Sequence, residues 1–287
     1  MPELPEVETV RRGLNQATLH QPILGGDVSL SRAIAHPVSV DAFLDAVTGC
    51  QITQWHRRGK YLLGALSRHP YPSEDDHSAG WLGAHLRMSG QLLWTKHDVP
   101  LETHCRVRLW FPDQHDLRFV DQRTFGRLWW VPPEVAPETV MTGLALLGPE
   151  PFSPDFNVNY MMDWLGDRQR PIKPALLDQA LVAGIGNIYA DEALFLSGIH
   201  PTTLCAKLTP SQIEALHAAI LQVLQAGIEA GGTTISNFRN VDGVNGYYSG
   251  VAWVYGRTGE PCRTCKIPIQ RLKLAGRSSH FCPNCQV

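Results

Sequence analysis

The chain has 287 residues, 44% of them hydrophobic, with 25 Lys and Arg against 27 Asp and Glu for a net charge of −2. Its length suggests two domains of roughly 150 residues each, enough to bury a core without disulfide staples. The near-zero charge excludes a uniformly basic nucleic-acid coat, and the hydrophobic content excludes intrinsic disorder.

The first eight residues carry Glu3, Glu6 and Glu8, where a secretory signal would be basic. The longest helical apolar stretch, 215–228, lies between Glu214 and Glu229 and is shorter than the ~18 residues a membrane span needs. Three of the seven cysteines, Cys50, Cys105 and Cys205, are isolated and read as small core residues. A cytoplasmic, reducing location with no membrane contact is expected.

In chain order, residues 5–17 predict a short amphipathic helix. Pro5 suits its first turn, and Val7, Val10 and Leu14 recur at helical spacing. From 23 to 131 short apolar runs (61–66, 80–86, 91–94, 106–111, 117–120, 127–131) alternate with Gly, Pro, Asp and Ser clusters. Arg106 to Leu109 alternates with period two, and the turn residues 112–116 lead into the next strand as a hairpin. Such spacing predicts a sandwich or barrel, with 70–78 as an exposed loop. Arg57-Arg58-Gly59-Lys60 reads as the opening of a strand with no acidic partner nearby, the pattern of a solubilising edge.

Residues 132–157 are proline-rich and predict a boundary and linker, after which the pattern is helical. The clearest helix is 210–230. Thr209 caps it, Pro210 opens it, Gln212 completes a capping box, and Gly231-Gly232 ends it. Residues 232–250, rich in Gly, Asn, Thr and Tyr, predict a mobile loop.

Four constellations could carry chemistry. Cys262-x-x-Cys265 and Cys282-x-x-Cys285 are separated by 16 residues, a spacing that brings four thiolates to one tetrahedral zinc. Four protein ligands leave no open position, so the zinc is structural. The intervening 267–274 reads as a hairpin that projects Lys266, Arg271, Lys273 and then Arg277. From 232 to 287 there are seven Lys and Arg against two Asp and Glu, a local balance of +5 to which four thiolates and a zinc would add −2. That segment favours a polyanion or a protein partner.

Gly184-Ile185-Gly186-Asn187 fails as a dinucleotide fingerprint, because Tyr189 stands where the third glycine belongs. It works as a helix entry with Asn187 as the cap, and so reads either as an anion site or as a plain tight turn. The N-terminus, Met1-Pro2-Glu3-Leu4-Pro5-Glu6, has a small second residue that favours loss of Met1. Proline would then begin the chain with a secondary amine. A free α-amine titrates near ~7.7–8, so part of it is neutral and nucleophilic at physiological pH. Attack on a sugar C1′ would give an iminium, with Glu3 as general acid or base. Taken alone, such a terminus carries almost no information.

These signals together resemble the formamidopyrimidine-DNA glycosylase family, over essentially the whole chain. MPELPEVETVRRGL at 1–14, RRGKYLL at 57–63, AHLRMSGQL at 84–92 and DQRTFGRL at 121–128 appear in the family's order. So do AGIGNIYADEALF at 183–195, GGTTISNFRN at 231–240, VYGRTGEPC at 254–262 and the Cys₄ ribbon. The family also includes endonuclease VIII, which prefers oxidised pyrimidines; the MPELPE opening and the 232–250 loop look like the purine branch.

The resemblance implies an α+β multi-domain fold. Residues 1–135 would be a catalytic β-sandwich with an N-terminal helix, 136–157 a linker, and 158–231 a helical domain with a helix–two-turns–helix around 174–197. Residues 232–257 would hold the lesion-recognition loop and 258–287 a zinc-finger hairpin. It implies a catalytic set of Pro2, Glu3, Lys60 and Arg277. Pro2 would be the Schiff-base nucleophile, Glu3 the acid that opens the deoxyribose, and Lys60 the proton donor of elimination and a phosphate contact. Arg277, His85, Lys173 and Asn187 would grip the kinked backbone. Met88, Arg123 and Phe125 would fill the gap left by a flipped-out nucleotide. The implied partner is damaged double-stranded DNA bound by a monomer, and the implied cofactor one structural zinc on Cys262, Cys265, Cys282 and Cys285. The competing readings are a non-enzymatic zinc-ribbon DNA-binding module and a zinc hydrolase. The proline terminus argues against the first and the closed zinc site against the second.

Overall fold

The computed structural model describes the chain except residues 75, 234–240, 244 and 245, and the side chain of 249. It divides into two compact units, Met1–Ala145 with Gly231–Gly246, and Leu146–Ala230 with Tyr247–Val287.

The first unit opens with α1 (Leu4–Ala17), followed by β1 (Gly25–Val28), β2 (Ile34–His36) and α2 (Val40–Val47). Then come β3 (Gln51–Arg58), β4 (Tyr61–Ser67), β5 (Trp81–His85), β6 (Gly90–Lys96), β7 (Cys105–Phe111), β8 (His115–Asp121), β9 (Arg127–Val131) and the single turn α3 (Pro137–Val140). The strands form a four-stranded sheet, β1-β7-β8-β6, and a five-stranded sheet, β2-β9-β5-β4-β3. Leu62, Leu82, Ala84 and Leu128 of one sheet share a buried core with Leu92, Val107, Leu109, Leu117 and Phe119 of the other. This is the expected sandwich. The β7–β8 hairpin is present, with Asp113 and Gln114 at positive φ in its turn.

The chain changes sheets twice at one end. β5 passes to β6 through residues 86–89, and β8 passes to β9 through 122–126. His85 pairs with Arg127 and Gly90 with Asp121, so the two corners start and finish on neighbouring residues.

β1, β2, α2 and β3 all lie outside the apolar runs read from the sequence. β3 was hidden because a bulge between Ile52 and Gln54 buries Ile52, Thr53 and Trp55 and breaks the alternation. α2 is only eight residues, capped by Ser39 on Ala42 N–H at 3.3 Å. β2 pairs parallel to β9 through only two residue pairs. Residues 57–60 are also placed differently. Arg57 and Arg58 end β3, and Gly59 and Lys60 form a two-residue hairpin to β4, with Gly59 at φ +54°. Arg57 does have an acidic partner: its Nε lies 3.2 Å from Glu8 on α1.

Glu8 also receives Arg11 at 2.8 Å and Arg12 at 2.9 Å. Below this cluster Leu4, Val7, Val10 and Leu14 are buried, and Trp55 Nε1 donates to Thr18 at 2.9 Å. α1 is thereby held against β3 by one apolar stripe and one ionic cluster.

In the second unit, α4 (Val158–Leu165), α5 (Ile172–Leu176), α6 (Asn187–Leu196) and α7 (Pro210–Glu229) precede a hairpin of β10 (Gln270–Leu274) and β11 (Arg277–Phe281). Residues 177–186 make two turns between α5 and α6, the expected helix–two-turns–helix. α7 starts with the Thr209–Gln212 capping box read from the sequence. Its Gly227 is required, because a Cβ there would lie 2.6 Å from the Tyr189 ring. Of the loop predicted at 232–250, the part 234–240 with 244 and 245 lies outside the described residues.

Burial raises the pKa of Glu8, but hydrogen bonds and charge from Arg11, Arg12 and Arg57 outweigh it and hold the carboxyl at about 2. The unfolded chain takes up this proton near the ordinary glutamate value of 4.5, whereas the folded chain does not until about 2. Stability from this cluster is therefore complete above the unfolded value and lost as pH falls through that window. Thermal unfolding measured across it should show a pH slope that Glu8→Gln flattens; an unchanged slope would place the acid lability elsewhere.

Candidate active site and metal centre

Pro2 and Glu3 are buried where α1 begins. Glu3 is the N-cap and forms a reciprocal capping box with Glu6, whose Oε2 accepts the Glu3 N–H at 2.7 Å. The other Glu6 oxygen accepts the Thr233 N–H at 2.7 Å. The Glu3 backbone is thus fixed by a carboxylate that also anchors a segment 227 residues away.

Lys60 is 6% exposed in the β3–β4 turn. The next residue, Tyr61, pairs in register with His85, and their rings meet edge-to-face at 4.4 Å. His85 ends β5, directly before the corner that carries Met88. Lys60, His85, Met88, Arg123 and Phe125 therefore share one end of the sandwich. Met88 is half-buried, Phe125 is 50% exposed, and the Arg123 guanidinium lies 5.1 Å from the Phe125 ring centre. An apolar thioether, an aromatic ring and a stacked cation are suited to entering a base stack.

Burial, reinforced by the positive charges of Arg87 and Lys60, pushes the His85 pKa down to about 3. Its Nδ1 accepts the Arg87 N–H at 3.0 Å. A backbone N–H can only donate, so the ring proton sits on Nε2. His85 is thus a neutral donor, able to bond a phosphate oxygen without adding charge.

In the second unit the expected phosphate contacts have different settings. Arg277 is exposed at the first position of β11, behind a tight turn in which Ala275 and Gly276 take φ +47° and +77°. The β10–β11 hairpin itself starts at Gln270, three residues later than the sequence suggested, and exposes Arg271 and Lys273. Asn187 is the first residue of α6 rather than its cap, which is Gly186. The Asn187 Nδ2 instead donates to the Ser278 carbonyl at 3.0 Å.

Lys173 departs most from expectation. It is 1% exposed, with Nζ 2.6 Å from Asp191 Oδ1 and donating to Ser278 O at 2.6 Å. Here it braces β11 from within, and Arg277 precedes the braced residue. The reason is tertiary: Asp191 on α6 also accepts the His280 N–H at 2.9 Å, and an interior carboxylate needs a cation.

The four cysteine Sγ atoms lie within 4.8 Å of one another. Cys262 and Cys285 are 3.9 Å apart, and Cys265 and Cys282 are 3.4 Å apart. A tetrahedral zinc with bonds of about 2.3 Å needs sulfur separations of about 3.8 Å. The donor set therefore fits one structural zinc, which would cross-link the two knuckles. Around it Phe195, Val254, Ile269, Cys262 and Cys282 make a small buried cluster.

Sequence reasoning passed over the buried acids. Asp121, Asp191 and Glu192 look like surface residues in sequence, yet are 1%, 1% and 0% exposed. Glu192 accepts the N–H groups of Trp253, Val254 and Tyr255 at 2.7, 3.0 and 2.9 Å. Burial raises its pKa against those three bonds. One signal was available: two adjacent acids in 187–196, a helix otherwise almost wholly apolar.

Two measurements test this geometry. Cys282→Ser should lose the metal and unfold the β10–β11 hairpin while the near-ultraviolet signal of the sandwich persists; stoichiometric zinc in that variant would overturn the four-thiolate set. Nitrogen NMR should find His85 protonated on Nε2 alone from about pH 5 to pH 9; a midpoint near the ordinary histidine value of ~6.5 would contradict the buried neutral ring.

The chain is similar to known proteins along its whole length. The formamidopyrimidine-DNA glycosylase N-terminal domain matches residues 1–128, and the H2TH domain of the same proteins matches 147–239. A zinc finger found in FPG and IleRS matches 259–287. Proteins named formamidopyrimidine-DNA glycosylase from a Nostoc species and from Nostoc punctiforme are 63% and 64% identical. The first is covered end to end by this whole chain, the second over 96% of its length. A solved variant of the Lactococcus lactis FPG, in complex with a Fapy-dG containing DNA, superposes with a TM-score of 0.89 at 36% identity. The match covers 99% of each chain. The Lactococcus lactis protein with an abasic site containing DNA gives 0.88 at the same identity and coverage. The chain belongs to the formamidopyrimidine-DNA glycosylase family.

Proposed function

We propose that this chain, a DNA glycosylase by family, excises oxidised purines such as 8-oxoguanine and formamidopyrimidines from duplex DNA and then cuts the abasic strand. The observation that carries the reading is a Pro2-Glu3 terminus seated inside the fold, in a chain related to its family from end to end. Met1 is 43% exposed, so the residue to be removed is the accessible one. The Lactococcus lactis relatives bound to Fapy-dG and abasic-site DNA support the choice of substrate.

Once Met1 is removed, the Pro2 nitrogen attacks C1′ and the glycosidic bond breaks, the base leaving with a proton. Glu3 protonates O4′ as the O4′–C1′ bond opens, leaving an iminium between C1′ and Pro2. A secondary amine gives an iminium that is cationic without a further proton, so it takes up the electron pair that C2′ keeps when that carbon gives a proton to water. The 3′ phosphate then departs by β-elimination and the 5′ phosphate by δ-elimination, and water releases the sugar fragment. Lys60 supplies a proton in elimination and contacts a nearby phosphate.

His85, as a neutral Nε2–H donor, with Arg277 and the α6 N-terminus at Asn187, holds phosphates of the kinked strand. Lys173 contributes by fixing β11. Met88, Arg123 and Phe125 fill the emptied stack, which offsets the few kcal/mol of flipping. In this reading residues 1–135 are the catalytic domain, 158–231 and 258–287 clamp DNA, 136–157 link them, 232–257 read the lesion, and the protein acts as a monomer on DNA in the cytoplasm.

Borohydride should trap the mature protein covalently on a lesion-bearing duplex, and the adduct should map to Pro2. Glu3→Gln should lower base excision by roughly 10²-fold or more, the scale of a lost general acid, while cutting of a pre-formed abasic site persists. Trapping that survives an N-terminal extension, or maps to Lys60, would overturn the assignment of the nucleophile.

A further inference from the structure

Asp121 ends β8 and is 1% exposed. Its Oδ1 accepts the Ser89 hydroxyl at 2.5 Å and the Arg123 N–H at 3.2 Å. Its Oδ2 accepts the Gly126 N–H at 2.7 Å. The Ser89 hydroxyl oxygen in turn accepts the Arg123 N–H at 3.0 Å. One carboxylate and one hydroxyl therefore join two separate corners of the sandwich: 86–89, which carries Met88, and 122–126, which carries Arg123 and Phe125.

Both corners hold strained backbone. Arg87 takes φ +53° and Thr124 φ +58°, a region that a β-branched residue rarely enters. Gly126 has no room for a side chain, since a Cβ would lie 2.5 Å from Phe119 Cζ and 3.1 Å from Asp121 Oδ2. Such conformations persist only where the surroundings over-determine them. The Asp121 carboxylate does so, since an ionised carboxylate is acceptor-only and all three groups facing it are donors.

We propose that Asp121, with Ser89, is a positioning residue that locks Met88, Arg123 and Phe125 into a single rigid wedge, so that the three side chains enter the duplex together. This rests on the wedge role given to those residues above. Its physical basis is pre-organisation: loops ordered in advance do not lose conformational freedom when DNA binds. The bolt should matter where a nucleotide must be displaced from a stack and not where the strand is already open.

The test uses the full-length, zinc-loaded protein. Excision from an 8-oxoguanine duplex is compared with cutting of an abasic site in single-stranded DNA, and 2-aminopurine beside the lesion reports unstacking. Asp121→Asn keeps the shape but turns one acceptor into a donor. It should lower duplex excision by roughly tenfold or more and reduce the fluorescence rise, with single-strand cutting within about twofold of wild type. Ser89→Ala, at a half-buried position that leaves the carboxylate in place, should shift both readouts the same way by less, and stands in if Asp121→Asn does not fold. Equal losses on duplex and single-stranded DNA would mean a general structural role and overturn the proposal, as would full duplex excision by either folded variant. Absence of duplex excision by the wild-type protein would instead overturn the glycosylase reading, and the wedge with it.

Discussion

A carboxylate removed from water must be given hydrogen-bond donors in exchange, and this requirement governs where the working backbone lies. Glu6 holds the Glu3 and Thr233 amides, Asp121 the two sandwich corners, Asp191 the β11 amide of His280, and Glu192 the amides of 253–255. For Glu6, Asp121 and Glu192 the donors come largely from backbone, so the acid fixes the path of the chain; Asp191 also holds the Lys173 ammonium and so fixes a side chain as well. Leaving such a group unsatisfied costs about 1–3 kcal/mol or more, so each bond is either made or the segment moves.

The sandwich supplies what these acids need. Because the chain crosses between sheets at 86–89 and again at 122–126, and both crossings sit on paired strands, residues distant in sequence reach one rim. Lys60 joins them through a two-residue hairpin, and His85 through the end of a central strand. A rim built on strand ends is rigid where sites need precision and irregular where side chains must project.

The C-terminal ribbon solves a different problem. A segment of 259–287 is too short to bury a sufficient core of its own. Four thiolates converge instead on a zinc site beside buried Phe195, Val254 and Ile269, and the β10–β11 hairpin is also pinned by Lys173 and Asn187 through the Ser278 carbonyl. The net charge of the chain is close to zero, so basic residues such as Arg271, Lys273 and Arg277 act as a local patch rather than as part of a global field.

Much of this was readable in the sequence. The Cys₄ spacing determined the zinc site, the Thr209–Gln212 pair determined where α7 starts, and short apolar runs between turn clusters determined six strands of the sandwich. Each of these signals is local, or is repeated at a spacing that few other structures share. The ordered family segments, from MPELPEVETVRRGL to the ribbon, placed the remaining candidates. What only tertiary structure decided involves partners far apart in the chain. Arg57 and Glu8 are 49 residues apart, Asp191 and His280 are 89, and Lys173 and Ser278 are 105. No local pattern tells a surface lysine from one buried as a brace, or shows that the His85 lone pair is taken by a backbone N–H. Burial, protonation state and the pairing of buried charges are properties of the space around a side chain, and that space exists only once distant segments have packed.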